Sequence, residues 1–103
     1  MKKNKKGIIP NITDDNEQEY WIEYKKTLSP HIKEALVIKY SNLVKYVANQ
    51  INFNMKATRD IEFDDLVGYG ALGLIDAIEK YDPNKEVKFK TYATTRIKGS
   101  IYD

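Results

Sequence analysis

Between Ile32 and Ile51 the apolar residues recur at three- and four-residue steps: Ile32, Leu36, Tyr40, Leu43, Val47 and Ile51, with Ala35 and Val44 widening the stripe. That spacing belongs to one face of an α-helix, so a long amphipathic helix is the element around which the chain has to fold. Its start is marked as well. Ser29 is placed to cap free amide groups, and Pro30 at the first helical position lacks the N–H that would go unsatisfied there. Lys33, Lys39 and Lys45 lie off the stripe.

The same reasoning places three more helices. Asp14 precedes Glu17 by three positions, a capping-box-like start for a first helix over Asp15–Leu28, with Tyr20, Trp21, Tyr24 and Leu28 on one side. A third helix starts at a cap at or beside Asp64 and runs to about Tyr81, with Leu66, Leu74, Ala77, Ile78 and Tyr81 as its buried side. Gly68, Gly70 and Gly73 each cost about 1 kcal/mol relative to alanine in such a helix. They imply either close approach of a neighbouring helix or a smooth face for a partner, and both can hold. Asp82-Pro83-Asn84-Lys85 is turn chemistry. A fourth helix starts near Lys90 and meets no stop signal by Asp103, which predicts a fragment cut within a helical pattern. Asn49 to Asp60 reads as a polar, irregular connection with frayed helix ends. Residues 1–12 read as a flexible basic lead-in and 13–103 as the folded domain. The expected fold is all-α, a compact bundle of about four helices.

Several chemistries are excluded at this point. The chain has no cysteine, which removes disulfides and thiolate metal sites, and His31 is its one histidine. No glycine-rich phosphate loop is present, because Gly68, Gly70 and Gly73 lie inside a helical pattern with no lysine–serine pair after them. Asp64 and Asp65 are adjacent, so on a helix they point about 100 degrees apart and suit capping and solvent better than paired acid–base work. No catalytic residue, metal or cofactor is expected. No apolar run approaches the length that spans a bilayer, so no membrane partner is expected either. At 103 residues there is enough chain for one domain.

The net charge of +2 says little about nucleic acid, but its distribution says more. Lys2, Lys3, Lys5 and Lys6 form a basic tip, readable as a solvated tail or as a nonspecific DNA contact. Acidic residues gather around Asp14, Asp15, Glu17 and Glu19, and again around Asp60, Glu62, Asp64 and Asp65. From Val87 to Tyr102, aromatic, hydroxyl and basic residues interleave along one helix. That pattern suits a single nucleic-acid strand, since aromatic faces stack on bases and cations hold phosphates. A plainer reading stays open, in which Phe89, Tyr92, Ile97 and Ile101 are core and Lys88, Lys90, Arg96 and Lys98 are solvated.

Two strings favour the first reading. Lys-Phe-Lys-Thr-Tyr-Ala-Thr-Thr-Arg-Ile-Lys-Gly-Ser-Ile, beginning at Lys88, resembles the strand-melting motif of the bacterial RNA polymerase sigma factors. Asp64-Asp65-Leu66-Val67-Gly68-Tyr69-Gly70-Ala71-Leu72-Gly73-Leu74 is similar to the family's polymerase-binding motif, and Tyr81-Asp82-Pro83 to its Phe-Asp-Pro. The likeness covers about Leu36 to Asp103, region 2 of the sigma-70 family. Housekeeping members carry two tryptophans where this chain has Thr95-Arg96. Arg96-Ile97-Lys98-Gly99 is closer to the motility and sporulation type.

The resemblance implies a transcription initiation domain, cytoplasmic and not an enzyme. Asp65, Leu66, Gly68, Tyr69, Ala71 and Ile75 match the surface that meets the clamp helices of the polymerase β′ subunit. Phe89, Thr91 and Tyr92 match the residues that melt the −10 promoter element and hold its non-template strand, with Tyr92 stacking on an extruded adenine. Thr95 and Arg96 meet the duplex edge, and Lys88, Lys90 and Lys98 contact phosphates. An anti-sigma factor is a further partner that the likeness brings with it. The alternative is a helical protein-binding module that docks on polymerase without holding DNA.

Overall fold

The computed structural model describes residues 8–55 and 62–103 of the chain, in which four helices follow one another: α1 Glu17–Thr27, α2 Pro30–Met55, α3 Phe63–Lys80 and α4 Phe89–Tyr102. There is no strand among the described residues, and the architecture is the expected all-α bundle. Lys2, Lys3, Lys5, Lys6, Gly7 and Asp60 lie outside the described residues. The central pair is α3 and α4, which pack on each other most extensively; α2 covers both, and α1 closes one end.

The stripe on α2 is buried as the spacing demands: Ile32, Ala35, Leu36, Val44, Val47, Ala48 and Ile51 are core, and Tyr40 and Leu43 pack at its margin. Ser29 Oγ accepts from the Ile32 amide at 3.3 Å, which gives α2 its start. The helix outlasts the expectation, however. It runs through Asn49 to Met55, because Ile51 still reaches the core and extends the apolar face past the polar composition.

Two other boundaries differ for local reasons. At α1 the capping box does not form. Asn16 occupies the N-cap position without a side-chain cap bond, its Oδ1 accepting from the preceding Thr13 amide at 2.7 Å, and the Glu17 carboxylate turns inward instead. There it accepts from the Trp21 indole N–H at 2.9 Å and from the Tyr40 hydroxyl at 2.8 Å. Leu28, expected on the buried side of α1, is exposed: it caps the helix in the left-handed region at φ 55°, which turns its side chain outward. At α3 the N-cap is Glu62, not Asp64. Asp64 and Asp65 stand in the first turn, where negative charge suits the helix dipole.

Charged contacts tie α1 and α2 to the rest. Lys25 Nζ donates to the carbonyls of Ile78 at 3.2 Å and Glu79 at 2.9 Å, satisfying acceptors that α3 leaves open at its C-terminal end. Lys33 pairs with Glu79, and Lys39 with Asp14 at 2.7 Å and Glu17 at 3.2 Å. Ile12, at the end of the predicted lead-in, is itself buried in the core.

The three glycines of α3 separate into two kinds. A Cβ on Gly73 would lie 2.7 Å from the Arg96 carbonyl oxygen and 2.9 Å from Ile97 Cα, so α4 backbone rests on the glycine. A Cβ on Gly70 would meet side-chain tips instead, Val44 Cγ1 at 2.9 Å and Ile101 Cδ1 at 3.3 Å. Gly68 faces open space. Thermal melting should therefore rank the alanine variants. Gly73→Ala should lose about 1–3 kcal/mol, because backbone cannot step aside. Gly68→Ala should gain up to about 1 kcal/mol of helix propensity. Equal melting temperatures for the two variants would contradict this packing.

Candidate nucleic-acid interface

The turn between α3 and α4 sets the site. The Asn84 amide bonds to Asp82 Oδ1 at 2.9 Å and the Lys85 amide to the Asp82 carbonyl at 3.2 Å, a tight side-chain and backbone turn. The Tyr81 hydroxyl then donates to the Val87 carbonyl at 2.7 Å, drawing the chain back over the end of α3. Lys88 precedes α4 in extended conformation, and Phe89 enters the core. The Phe89 ring lies 4.8 Å from Trp21, 4.8 Å from Tyr40 and 5.1 Å from Tyr81, centroid to centroid. These separations are those of edge-to-face and tilted aromatic packing, which fixes the entry angle of α4.

One turn on, Tyr92 is half-buried. Its ring rests against Tyr81 at 5.7 Å, and the Arg96 guanidinium lies over it at 5.4 Å from the centroid. Thr91, Thr95, Lys98 and Tyr102 are exposed at three- and four-residue steps beside it. Thr91, Tyr92, Thr95, Arg96 and Lys98 thus share one continuous face of α4, with Lys88 just ahead of its first turn. The structure does not bring all the expected contact residues there. Phe89 is 4% exposed and belongs to the aromatic core, because the hydrophobic stripe of α4 begins with it. Lys90 is exposed but turned toward α2, where it lines a groove of about 560 Å³ with Asp14, Lys39, Tyr40, Asn42, Leu43 and Tyr46.

Arg96 is not a free cation. Its Nε donates to Asp76 Oδ2 at 2.6 Å, its Nη2 forms an ion pair with the same oxygen at 2.6 Å, and Lys80 Nζ pairs with Asp76 Oδ1 at 2.8 Å. Lys80 and then Arg96 hold the Asp76 carboxyl below the usual carboxylate range. The sign follows: what this group contributes to stability is present above its unfolded pKa and is lost as pH falls through the lowered folded value. At neutral pH the pair is intact.

The outward face of α3 carries Gly68, Leu72, Ile75 and Glu79 at three- and four-residue steps, with Asp65 and Tyr69 exposed along one side and Ala71 half-buried on the other. Leu66, expected on this face, is 5% exposed and points into the core with Gly70, Leu74 and Ala77. Leu72 was not expected there and is 62% exposed, the most exposed apolar residue of α3. The sequence did carry a signal for it: Leu72 falls three or four positions from Gly68, Tyr69 and Ile75 and has no place in the predicted buried stripe. Asp76 and Lys80 had no such signal, since their bearing on Arg96 comes only from the way α3 crosses α4. Ser100 Oγ bonds to the Tyr69 carbonyl at 2.8 Å, so the two faces adjoin. Among the described residues, no cluster of three or more metal-ligating side chains occurs, and no helix is long and apolar enough to cross a membrane.

Against known families, residues 36–103 match the family model described as Sigma-70 region 2. Over 87 residues the chain is 38% identical to the RNA polymerase sigma-D factor of Bacillus subtilis, covering 84% of this chain and 34% of the relative. It is 35% identical to the RNA polymerase sigma factor FliA of Pseudomonas aeruginosa over 80 residues, 78% of this chain and 32% of that protein. With the Escherichia coli factor of the same name it shares 37% identity over 71 residues, 69% of this chain and 29% of the relative. The chain spans about a third of the length of the curated relatives it matches.

Proposed function

The chain belongs to the sigma-70 family, and from that premise we propose that its residues 13–103 are the region 2 domain of an alternative, motility-type initiation factor acting with RNA polymerase in the cytoplasm. The domain works by binding, not by catalysis. The outward face of α3, with Leu72 added to Asp65, Gly68, Tyr69, Ala71 and Ile75, docks on the clamp helices of the polymerase β′ subunit. The face of α4 holds the non-template strand of the −10 element. An anti-sigma factor covering either face is a further partner of this reading.

The single observation that carries it is Tyr92, a half-buried ring backed by Tyr81 and flanked by exposed hydroxyl and basic side chains. A ring held from behind is a shelf for a base. Unstacking a base costs a few kcal/mol, and an aromatic shelf returns about 1–3 kcal/mol. One such shelf does not open a duplex, so polymerase supplies the remaining binding energy and the positively charged channel. Phe89 serves indirectly by fixing the turn from which Tyr92 projects. Leu66 serves by packing α3 rather than by docking.

The test is titration of the chain bound to core polymerase with a fluorescent non-template-strand oligonucleotide from a promoter that the holoenzyme opens. Tyr92→Ala should weaken binding by about 1–3 kcal/mol, while Tyr92→Phe keeps most of the affinity because the ring face remains. Lys98→Ala should weaken all strands alike and flatten the salt dependence, as a lost phosphate contact does. Equal affinity of wild type and Tyr92→Ala, with polymerase binding intact, would leave the docking module without strand binding as the better reading.

A further inference from the structure

We propose that Asp76, on α3, is a positioning residue for strand binding: it holds the Arg96 guanidinium over Tyr92, so that ring and guanidinium form one preassembled platform. The inference rests on the strand-binding reading above and adds a residue from outside the strand-binding helix. Three observations carry it. Arg96 Nε donates to Asp76 Oδ2 at 2.6 Å, and Nη2 stands 2.6 Å from the same oxygen, a charge-assisted bond and ion pair that hold the guanidinium in place. The guanidinium lies 5.4 Å from the Tyr92 ring centroid, within the range of cation–π attraction. Lys80 occupies the other carboxylate oxygen at 2.8 Å, so the carboxylate is itself held from the far side.

The chemistry favours a platform. Arginine has five N–H donors, and the bond to Asp76 uses the one on Nε, which leaves others for a phosphate or a base edge. An unrestrained arginine side chain loses rotamer freedom when it binds, and a held one has lost it already. A base or a second planar group stacks on a guanidinium as it does on an aromatic ring. The strand therefore meets a ring and a guanidinium held against each other, and an acidic residue keeps them in order.

That last point makes the proposal testable against its opposite. Asp76 carries negative charge beside a nucleic-acid face, so bulk electrostatics alone predicts that removing it strengthens DNA binding. Positioning predicts weakening. In the polymerase-bound titration described above, Asp76→Ala should bind the oligonucleotide about threefold to tenfold more weakly. Asp76→Asn keeps one oxygen acceptor and should recover part of that loss. In an Arg96→Ala background, Asp76→Ala should cause no further loss, since there is no guanidinium left to hold. A merely structural role would instead add the same loss in both backgrounds, and thermal melting of each variant reports it separately. Unchanged or tighter binding by Asp76→Ala, or full additivity in the double variant, overturns the proposal. If Tyr92→Ala also binds as wild type does, the strand-binding reading itself has failed. If Tyr92→Ala is weak while Asp76→Ala is not, only the positioning role falls.

Discussion

Trp21→Ala should lower the unfolding free energy by about 3–5 kcal/mol, a large share of what a domain of this size possesses. Trp21 is 1% exposed, and its ring touches three others: Tyr81 at 4.9 Å, Phe89 at 4.8 Å and Tyr24 at 6.3 Å. Truncation removes those contacts, leaves a cavity between α1 and the α3–α4 turn, and strips the Glu17 carboxylate of the indole donor. Trp21→Phe refills part of the cavity but not the hydrogen bond, so its loss should be intermediate. Melting followed by circular dichroism measures both. A melting temperature for Trp21→Ala within a degree or two of wild type would mean that α1 is not packed as described. Because Phe89 rests on Trp21 and sets the start of α4, the same variant, where still folded, should also bind the strand less well.

Leu72→Arg should weaken docking on core polymerase by on the order of 3 kcal/mol, more than a hundredfold, if its face is buried against a partner helix. A charge brought into such a contact is desolvated without a matched counter-charge. The domain's own stability should barely move, because Leu72 is 62% exposed in the free domain. Leu66→Arg makes the contrast: that residue is 5% exposed, so the substitution should unfold the domain rather than spare it and abolish docking. Ile75→Arg falls between them, since Ile75 is half-buried. Pull-down with core polymerase, run beside a melting curve for each variant, separates the effects. Wild-type docking by folded Leu72→Arg would remove this face as the contact surface.

The number of helices and most of their placement were legible because the signals are local: a spacing of apolar residues on α2, Ser29-Pro30 before it, Asp82-Pro83 after α3. The errors lie where a tertiary contact outbids a local signal. Glu17 looked like a capping-box acid, but the Trp21 and Tyr40 donors take it inward. Asn49 to Met55 looked like loop by composition, yet Ile51 keeps the helix on the core. In the candidate site, Thr91, Tyr92, Thr95, Arg96 and Lys98 were singled out by the resemblance, type and spacing leaving the core reading open, and the fold puts them along one face of α4. Phe89 and Leu66 are of the right type for contact but are core, as the spacing of the α3 stripe already places Leu66 and the plainer reading places Phe89. The Asp76–Arg96 pair joins residues on two helices, and no pattern within either helix announces it.

The seat of Gly73 against the Arg96 carbonyl has a consequence for how two ligands would be held together. With α4 backbone seated on the glycine, and with the Asp76–Arg96 pair and the Ser100–Tyr69 bond also crossing between the helices, the two proposed contact surfaces are parts of one stiff body. A bivalent binder gains most when its two sites are held at a separation that matches its targets, because the second contact then forms at high effective concentration. It gains nothing when that separation is wrong. Polymerase bound to α3 would present α4 to the strand in one orientation only, and a bulkier residue at position 73, by pressing on the Arg96 backbone, would shift the two contacts relative to each other.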